Sequence, residues 1–150
     1  MVVFTKCLIH SSQLFKKIET SLKHGIEVGN YSYDYLQILN RKNEVVNLLR
    51  SSIEKMLKKE KITIIYQQAK ICENNIIKTA TESYKAKDIL IATGSIVAKA
   101  PIKGVELAIT SDEILEKDID LKESYIIIGG GVIGVELATI LLNLNKKVTI

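Results

Sequence analysis

One stretch constrains the fold of this chain more than any other: Ser124-Tyr125-Ile126-Ile127-Ile128-Gly129-Gly130-Gly131-Val132-Ile133-Gly134-Val135-Glu136. An apolar, β-type run enters a glycine-spaced turn and leaves on a helix-forming segment. In that setting the G-x-G-x-x-G spacing assigns a task to each glycine: Gly129 for the tight turn, Gly131 for approach of the backbone to phosphate, Gly134 for close packing of helix on strand. The amide groups at the helix start face the same point, where unpaired donors and the helix dipole favour negative charge. The stretch therefore reads as a pyrophosphate site for a dinucleotide. Glycine clusters alone also make ordinary turns, and the flanking strand and helix are what raise this one above them.

Val132 through Leu144 is apolar almost all round, with Glu136, Thr139 and Asn143 on one polar stripe at helical spacing. Such a helix is expected to be covered on most sides, with the stripe facing solvent. Lys146-Lys147 close the helix and Val148-Thr149-Ile150 begin a second strand, giving a β-α-β unit. The acidic residue that reads a ribose hydroxyl is expected about 20 residues beyond the glycines. No such residue is present up to Ile150, so NAD and NADP are not distinguished.

A length of 150 residues suits one ordinary domain, and 47% hydrophobic residues without a long apolar run describe a soluble globular chain. The formal charge of +4 is mild, and the basic clusters Lys16-Lys17 and Lys55 to Lys61 are interleaved with acids, as solvated helix faces are. With only 5% aromatic residues there is no stacking platform for single strands, and nucleic-acid binding is set aside. Cys7 and Cys72 lie far apart, and His10 and His24 add no metal-ligand pattern, so both cysteines are expected to be small buried hydrophobes. Lys6, His10, Ser11 and Gln13 break the first segment, which is no secretory leader; a reducing cytoplasm is the expected location.

Along the chain, Thr5 to about His24 reads as a helix with Leu8, Ile9, Phe15, Ile18 and Leu22 on one face and Gly25 as its stop. Ser32 or Asp34 caps a long helix to about Lys59, whose stripe from Tyr35 and Leu36 to Ile53, Met56 and Leu57 is expected to be core. After Lys61 the texture turns to β. Ile62 to Tyr66, Ile76 to Thr79 and Ser83 to Ala86, with a turn at Glu73-Asn74-Asn75, predict a small antiparallel meander. Asp88-Ile89-Leu90-Ile91-Ala92 predicts a strand buried on both faces that runs into Thr93-Gly94-Ser95. Pro101 and Gly104 mark an irregular connection, and Ser111 is expected to cap a short helix from Asp112 to Glu116.

Four separated pieces together carry a resemblance: Thr5-Lys6 at a helix head, Ile89 to Ser95, Ser111-Asp112-Glu113-Ile114-Leu115, and Gly129 to Ala138. In this order they resemble the FAD-dependent pyridine nucleotide-disulfide oxidoreductases, the group of dihydrolipoamide dehydrogenase, glutathione reductase and mercuric reductase. The stretch Arg41 to Arg50 is most similar to a branch of oxidant-defence reductases near mercuric reductase. The resemblance implies an α/β fold built of partial FAD- and NAD(P)-binding Rossmann-type domains. Residues 1–98 would be the latter part of an FAD-binding domain and 99–150 the first part of an NAD(P)-binding domain. It implies that Thr93, Gly94, Ser95 and the backbone at Ala69 contact FAD, and that Gly129, Gly130, Gly131, Val132, Ile133, Gly134, Val135 and Glu136 hold NAD(P)H. It also implies an ion pair of Lys6 with Glu136 beside the flavin. Taken alone, Lys6 reads as an exposed lysine.

The parent reaction of the family passes hydride from NAD(P)H to FAD and on to an active-site disulfide. Here the sequence departs from the pattern. Val2 stands four residues before Lys6, where the family's second redox cysteine belongs, and Val3-Phe4 replaces Ile-Pro. The thiolate accepts electrons and attacks substrate, so a chain without the pair is expected to be an internal fragment, inactive alone. By the same resemblance, the amino-terminal FAD phosphate loop, the rest of the NAD(P) domain and the dimerisation domain through which complete members form homodimers are expected to be absent from residues 1–150. The rival readings are an NADH oxidase or ferredoxin reductase type of flavoprotein without disulfide chemistry, and a non-catalytic dinucleotide-binding remnant.

Overall fold

The computed structural model describes residues 2–98, 100–116 and 119–150, Val2 by its backbone alone. Helix α1 spans Val2–Thr20 and tightens into a 3-10 turn at Ser21–His24, starting before the expected Thr5. It ends at Gly25, whose φ of +73° lets Gly25 N–H reach the Leu22 carbonyl at 2.9 Å and Ile26 N–H reach that of Ser21 at 3.2 Å. This is the left-handed stop that a residue without Cβ takes at least cost. Helix α2 spans Tyr35–Lys59, and Asp34 caps it by accepting the Gln37 N–H at 3.2 Å.

The chain divides into two compact units, Met1–Ser51 with Val97–Ile150, and Ser52–Ile96. The first holds the core. Leu8 of α1, Leu39 of α2, Ile114 and Leu115 of α3 (Ser111–Glu116), and Ile140, Leu141 and Leu144 of α4 (Val132–Asn143) and its end bury one another. Each such side chain contributes about 1.5–3 kcal/mol on burial. Strands β4 (Ser124–Ile126) and β5 (Lys147–Thr149) flank α4 and pair in parallel, Tyr125 opposite Val148, so the β-α-β unit is present. The second unit carries the antiparallel meander β1 (Lys70–Cys72), β2 (Ile76–Lys78), β3 (Ser83–Lys85). Asn74 and Asn75, both at φ +57°, turn β1 into β2, as short polar side chains that tolerate the left-handed region do.

Several expectations need correction. The residues 62–66 and 88–92 form no strand: no neighbouring strand among the described residues bonds to them, and Leu90 is 91% exposed. β-propensity makes a strand only where a ladder satisfies the backbone. The face of α1 is set by Thr5, Leu8 and Ser12, all buried, whereas Leu22 is exposed. Only Leu39, Lys42 and Val46 of α2 are buried; Leu36, Leu48, Leu49, Ile53 and Met56 are exposed, so most of the long stripe is not core. Helix α4 is covered on one side and leaves Val132, Val135 and Leu142 exposed. Helix α3 is capped by Thr110, not Ser111. Thr110 Oγ1 accepts the Glu113 N–H at 3.3 Å, and the Glu113 carboxylate accepts the Thr110 N–H at 2.8 Å, a reciprocal capping box. Both cysteines are half-buried rather than core.

Candidate dinucleotide site

The glycine turn sits where β4 gives way to α4. The ladder extends one bond past β4, from Ile127 N–H to the Thr149 carbonyl at 2.8 Å, after which Gly129 turns the chain at φ +110°. Gly131 is the N-cap of α4 in extended backbone, and no side chain caps the helix. The first α-helical bond runs from Val135 N–H to the Gly131 carbonyl at 3.0 Å, which leaves the Val132, Ile133 and Gly134 amides outside the ladder. A Cβ built on Gly134 would lie 2.1 Å from the Gly129 carbonyl oxygen and 3.3 Å from Ile127 Cγ2, while one on Gly131 would meet nothing within 4 Å. Gly134 is thus the position of close helix–strand contact and Gly131 the open one, the division of labour its spacing implies.

A cavity of about 480 Å³ opens beside the turn. Ile128, Gly129, Gly131 and Val132 are among its lining residues, as are Val97, Ala98 and Ile109. The walls are mostly apolar, with Thr110, Ser111 and Tyr125 the hydroxyl-bearing residues among the lining. These features fit a dinucleotide: donors for the diphosphate, no Cβ at Gly131 to obstruct it, and apolar walls for flat rings.

Glu136 lies one turn into α4, and its Oε1 accepts from Lys6 Nζ at 3.0 Å, joining residues 130 apart in sequence. Hydrogen bonds from Lys6 and then Thr5 hold the Glu136 carboxyl below the usual carboxylate range. The pair is partly open to solvent, with the Lys6 side chain 63% exposed. The expected meeting of Lys6 and Glu136 is therefore present. Ala69, Thr93, Gly94 and Ser95 belong to the second unit, where all four are exposed and Gly94 is left-handed at φ +77°. Among the described residues no group of three or more His, Cys, Asp or Glu could hold a metal ion.

Two features escaped the sequence. The polar stripe of α4 does not all face solvent: Glu136 meets Lys6, and Asn143 Nδ2 donates to Ser12 Oγ at 3.2 Å on α1. Lys42 is 1% exposed, its Nζ donating to the Leu115 carbonyl at 2.6 Å and standing 5.2 Å over the Phe4 ring. Burial pushes this lysine below its ordinary pKa, with Glu116 and Cys7 opposing. Beside it Tyr35 Oη donates to the Ile114 carbonyl at 2.9 Å, so two α2 side chains satisfy the last carbonyls of α3. The signal was the position of Lys42 in the stripe, three residues after Leu39 and four before Val46.

The sequence profile of the pyridine nucleotide-disulphide oxidoreductases matches residues 2–150. The dihydrolipoyl dehydrogenase of Acholeplasma laidlawii is 34% identical across 97% of this chain and 45% of its own length; that of Chlamydia pneumoniae is 32% identical across 97% and 32%. The flavoprotein disulfide reductase RclA of Escherichia coli, HOCl-induced and solved as a Cu(II) complex, superposes with a TM-score of 0.75 at 28% identity, over 98% of this chain and 31% of that one. The chain thus spans less than half the length of these relatives. With a β-α-β glycine turn in place and a family profile matched from end to end, this chain belongs to the pyridine nucleotide-disulphide oxidoreductases, flavoproteins that bind FAD and use NAD(P)H.

Proposed function

We propose that this chain is part of a flavoprotein disulfide reductase of the reducing cytoplasm, residues 1–98 serving the FAD-binding domain and 99–150 the NAD(P)-binding domain. The observation that carries the reading is the conjunction at α4: an uncapped helix start behind a glycine turn, and Glu136 paired with Lys6 one turn further on. The amides of Val132, Ile133 and Gly134 would hold the nicotinamide dinucleotide by its diphosphate. Thr93, Gly94, Ser95 and the Ala69 backbone would hold FAD, whose chemistry when bound is hydride acceptance. Lys6 and Glu136 compensate each other's charge, so a cation can stand near an apolar ring without an unpaired counter-charge. That cation favours an anionic neighbour.

Residues 1–150 contain only Cys7 and Cys72, far apart in sequence, so the disulfide half of the reaction draws on no neighbouring pair within this stretch. By itself it is inactive as a disulfide reductase. The Val2 side chain, at the family's cysteine position, lies outside the described residues.

Thermal melts of the purified chain with NADH, NADPH and FAD test this reading. A ligand at 100 times its dissociation constant stabilises by about 2.7 kcal/mol. The expected result is protection by a nicotinamide dinucleotide that is lost in Gly131→Val; a colourless chain without protection refutes it. In that event the non-catalytic remnant stands, a second reading favoured by exposed apolar side chains such as Leu90, Ile96 and Ile126.

A further inference from the structure

Helices α1 and α4 meet through a polar ladder whose rungs recur every seven residues. On α1 they are Thr5, Ser12 and Glu19. Thr5 stands by the Glu136 carboxylate and, after Lys6, helps to hold it below the usual range, Ser12 Oγ accepts from Asn143 Nδ2 at 3.2 Å, and Glu19 Oε1 accepts from Asn145 Nδ2 at 2.8 Å. On α4 the first two partners, Glu136 and Asn143, are again seven apart, and Asn145 follows just past the helix end. Residue numbers rise together on both sides, so the helices run parallel. Leu8 and Phe15, three residues after Thr5 and Ser12, supply the apolar positions between the rungs, Leu8 in the core and Phe15 packed on it. This is the seven-residue seam of a parallel helix pair, with the alternate positions polar.

The upper rungs are buried, Thr5 at 1% and Ser12 at 0% exposure. Ser12 spends its own hydrogen on the Ile9 carbonyl at 3.0 Å, so toward Asn143 it can only accept, and the amide must present its NH2. A slip of α1 by one residue would rotate these hydroxyls off α4 by about 100°, taking the Ser12 acceptor away from the half-buried Asn143 amide. The Lys6–Glu136 pair is too exposed to set this register, since ion pairs open to water contribute little.

We propose that Thr5, Ser12 and Asn143 are positioning residues: their buried rungs lock α1 in parallel register on α4, and that register aims the Glu136 carboxylate at Lys6. The functional weight of the ladder rests on the reading of that pair as the one beside the flavin. Its geometry does not.

The test is carboxyl-carbon NMR titration of Glu136 in the full chain carrying carbon-13-labelled glutamate, the signal assigned by its loss in Glu136→Gln. In Thr5→Val the Glu136 midpoint rises toward the ordinary carboxylate value, and Thr5→Ser restores the low one. The pair Ser12→Ala with Asn143→Leu replaces both partners of the second rung by apolar groups, a change that leaves folding intact. There too the midpoint rises, although neither site touches Glu136 in any contact described. An unchanged midpoint in either folded variant overturns the proposal; should Thr5→Val not fold, the double variant decides alone. Melts with NADH and FAD on the same samples separate the two questions. A ladder that behaves as stated in a chain that binds neither cofactor sinks the functional reading and leaves the positioning role intact.

Discussion

Replacing Gly134 by alanine tests the helix–strand contact on which the glycine turn depends. The added Cβ would stand 2.1 Å from the Gly129 carbonyl oxygen, about 1 Å inside the closest approach that real Cβ atoms make, and the obstacle is backbone rather than a movable side chain end. The helix must therefore lift off the strand end, or the turn must open. Overpacking of this kind costs up to about 3 kcal/mol. Alanine returns about 1 kcal/mol through its better helix propensity. The net loss is about 2 kcal/mol, a fall in Tm of about 4–8 °C for a chain of this size. Urea and thermal melts measure it directly. Gly131→Ala is the control: its Cβ meets nothing within 4 Å and the backbone there is at φ −72°, so stability stays within about 0.5 kcal/mol of the parent. Nicotinamide dinucleotide binding weakens in both variants, through a displaced turn in one and an obstructing methyl in the other. A Gly134→Ala chain as stable as the parent would refute the close-contact argument.

Lys42→Ala removes a buried stem and the ammonium that satisfies the Leu115 carbonyl, and a loss of about 2–4 kcal/mol is expected in urea melts. Burial raises the Tyr35 phenol to about 12 in the fold, against 10.0 unperturbed. The raised value means that stability is whole below pH 10 and falls toward pH 12, by an amount on the order of 2–3 kcal/mol, and alkaline melts of Tyr35→Phe lack that fall. Glu136 shifts the other way. Its hydrogen bonds from Lys6 and Thr5 lower the folded value, so its contribution is full above the ordinary carboxylate range and lost as pH falls through the lowered one. Acid melts of Glu136→Gln are correspondingly flatter, and identical acid profiles would remove the pair as a stabilising contact.

The β-α-β unit was legible in the sequence because strand, glycine turn and helix are consecutive, so local sterics and period suffice to read them. The Asn74-Asn75 turn and the Asp34 cap were legible for the same reason: each is satisfied within a few residues. Ile62 to Tyr66 and Asp88 to Ala92 were misread because strand propensity says nothing of whether a neighbour bonds to the segment. The long stripe of α2 was misread as core for a similar reason, since period reports which face is apolar and not what covers it. Within the site, Gly129, Gly131 and Gly134 were assigned from spacing, whereas Lys6 and Glu136 were paired by resemblance alone.

What the sequence determined by itself is thus the local chemistry: a turn only glycines make easily, a helix start that presents amides, and caps and stops along α1 and α2. Tertiary structure alone decided which distant side chains meet. It made Lys42 a buried tether, turned Glu136 and Asn143 of the α4 stripe toward α1, and set Thr5 and Ser12 against them. The physical reason is one of range. Backbone sterics and helix termini act over a few neighbouring residues, while register between two helices is an agreement of surfaces that exists only once both are packed.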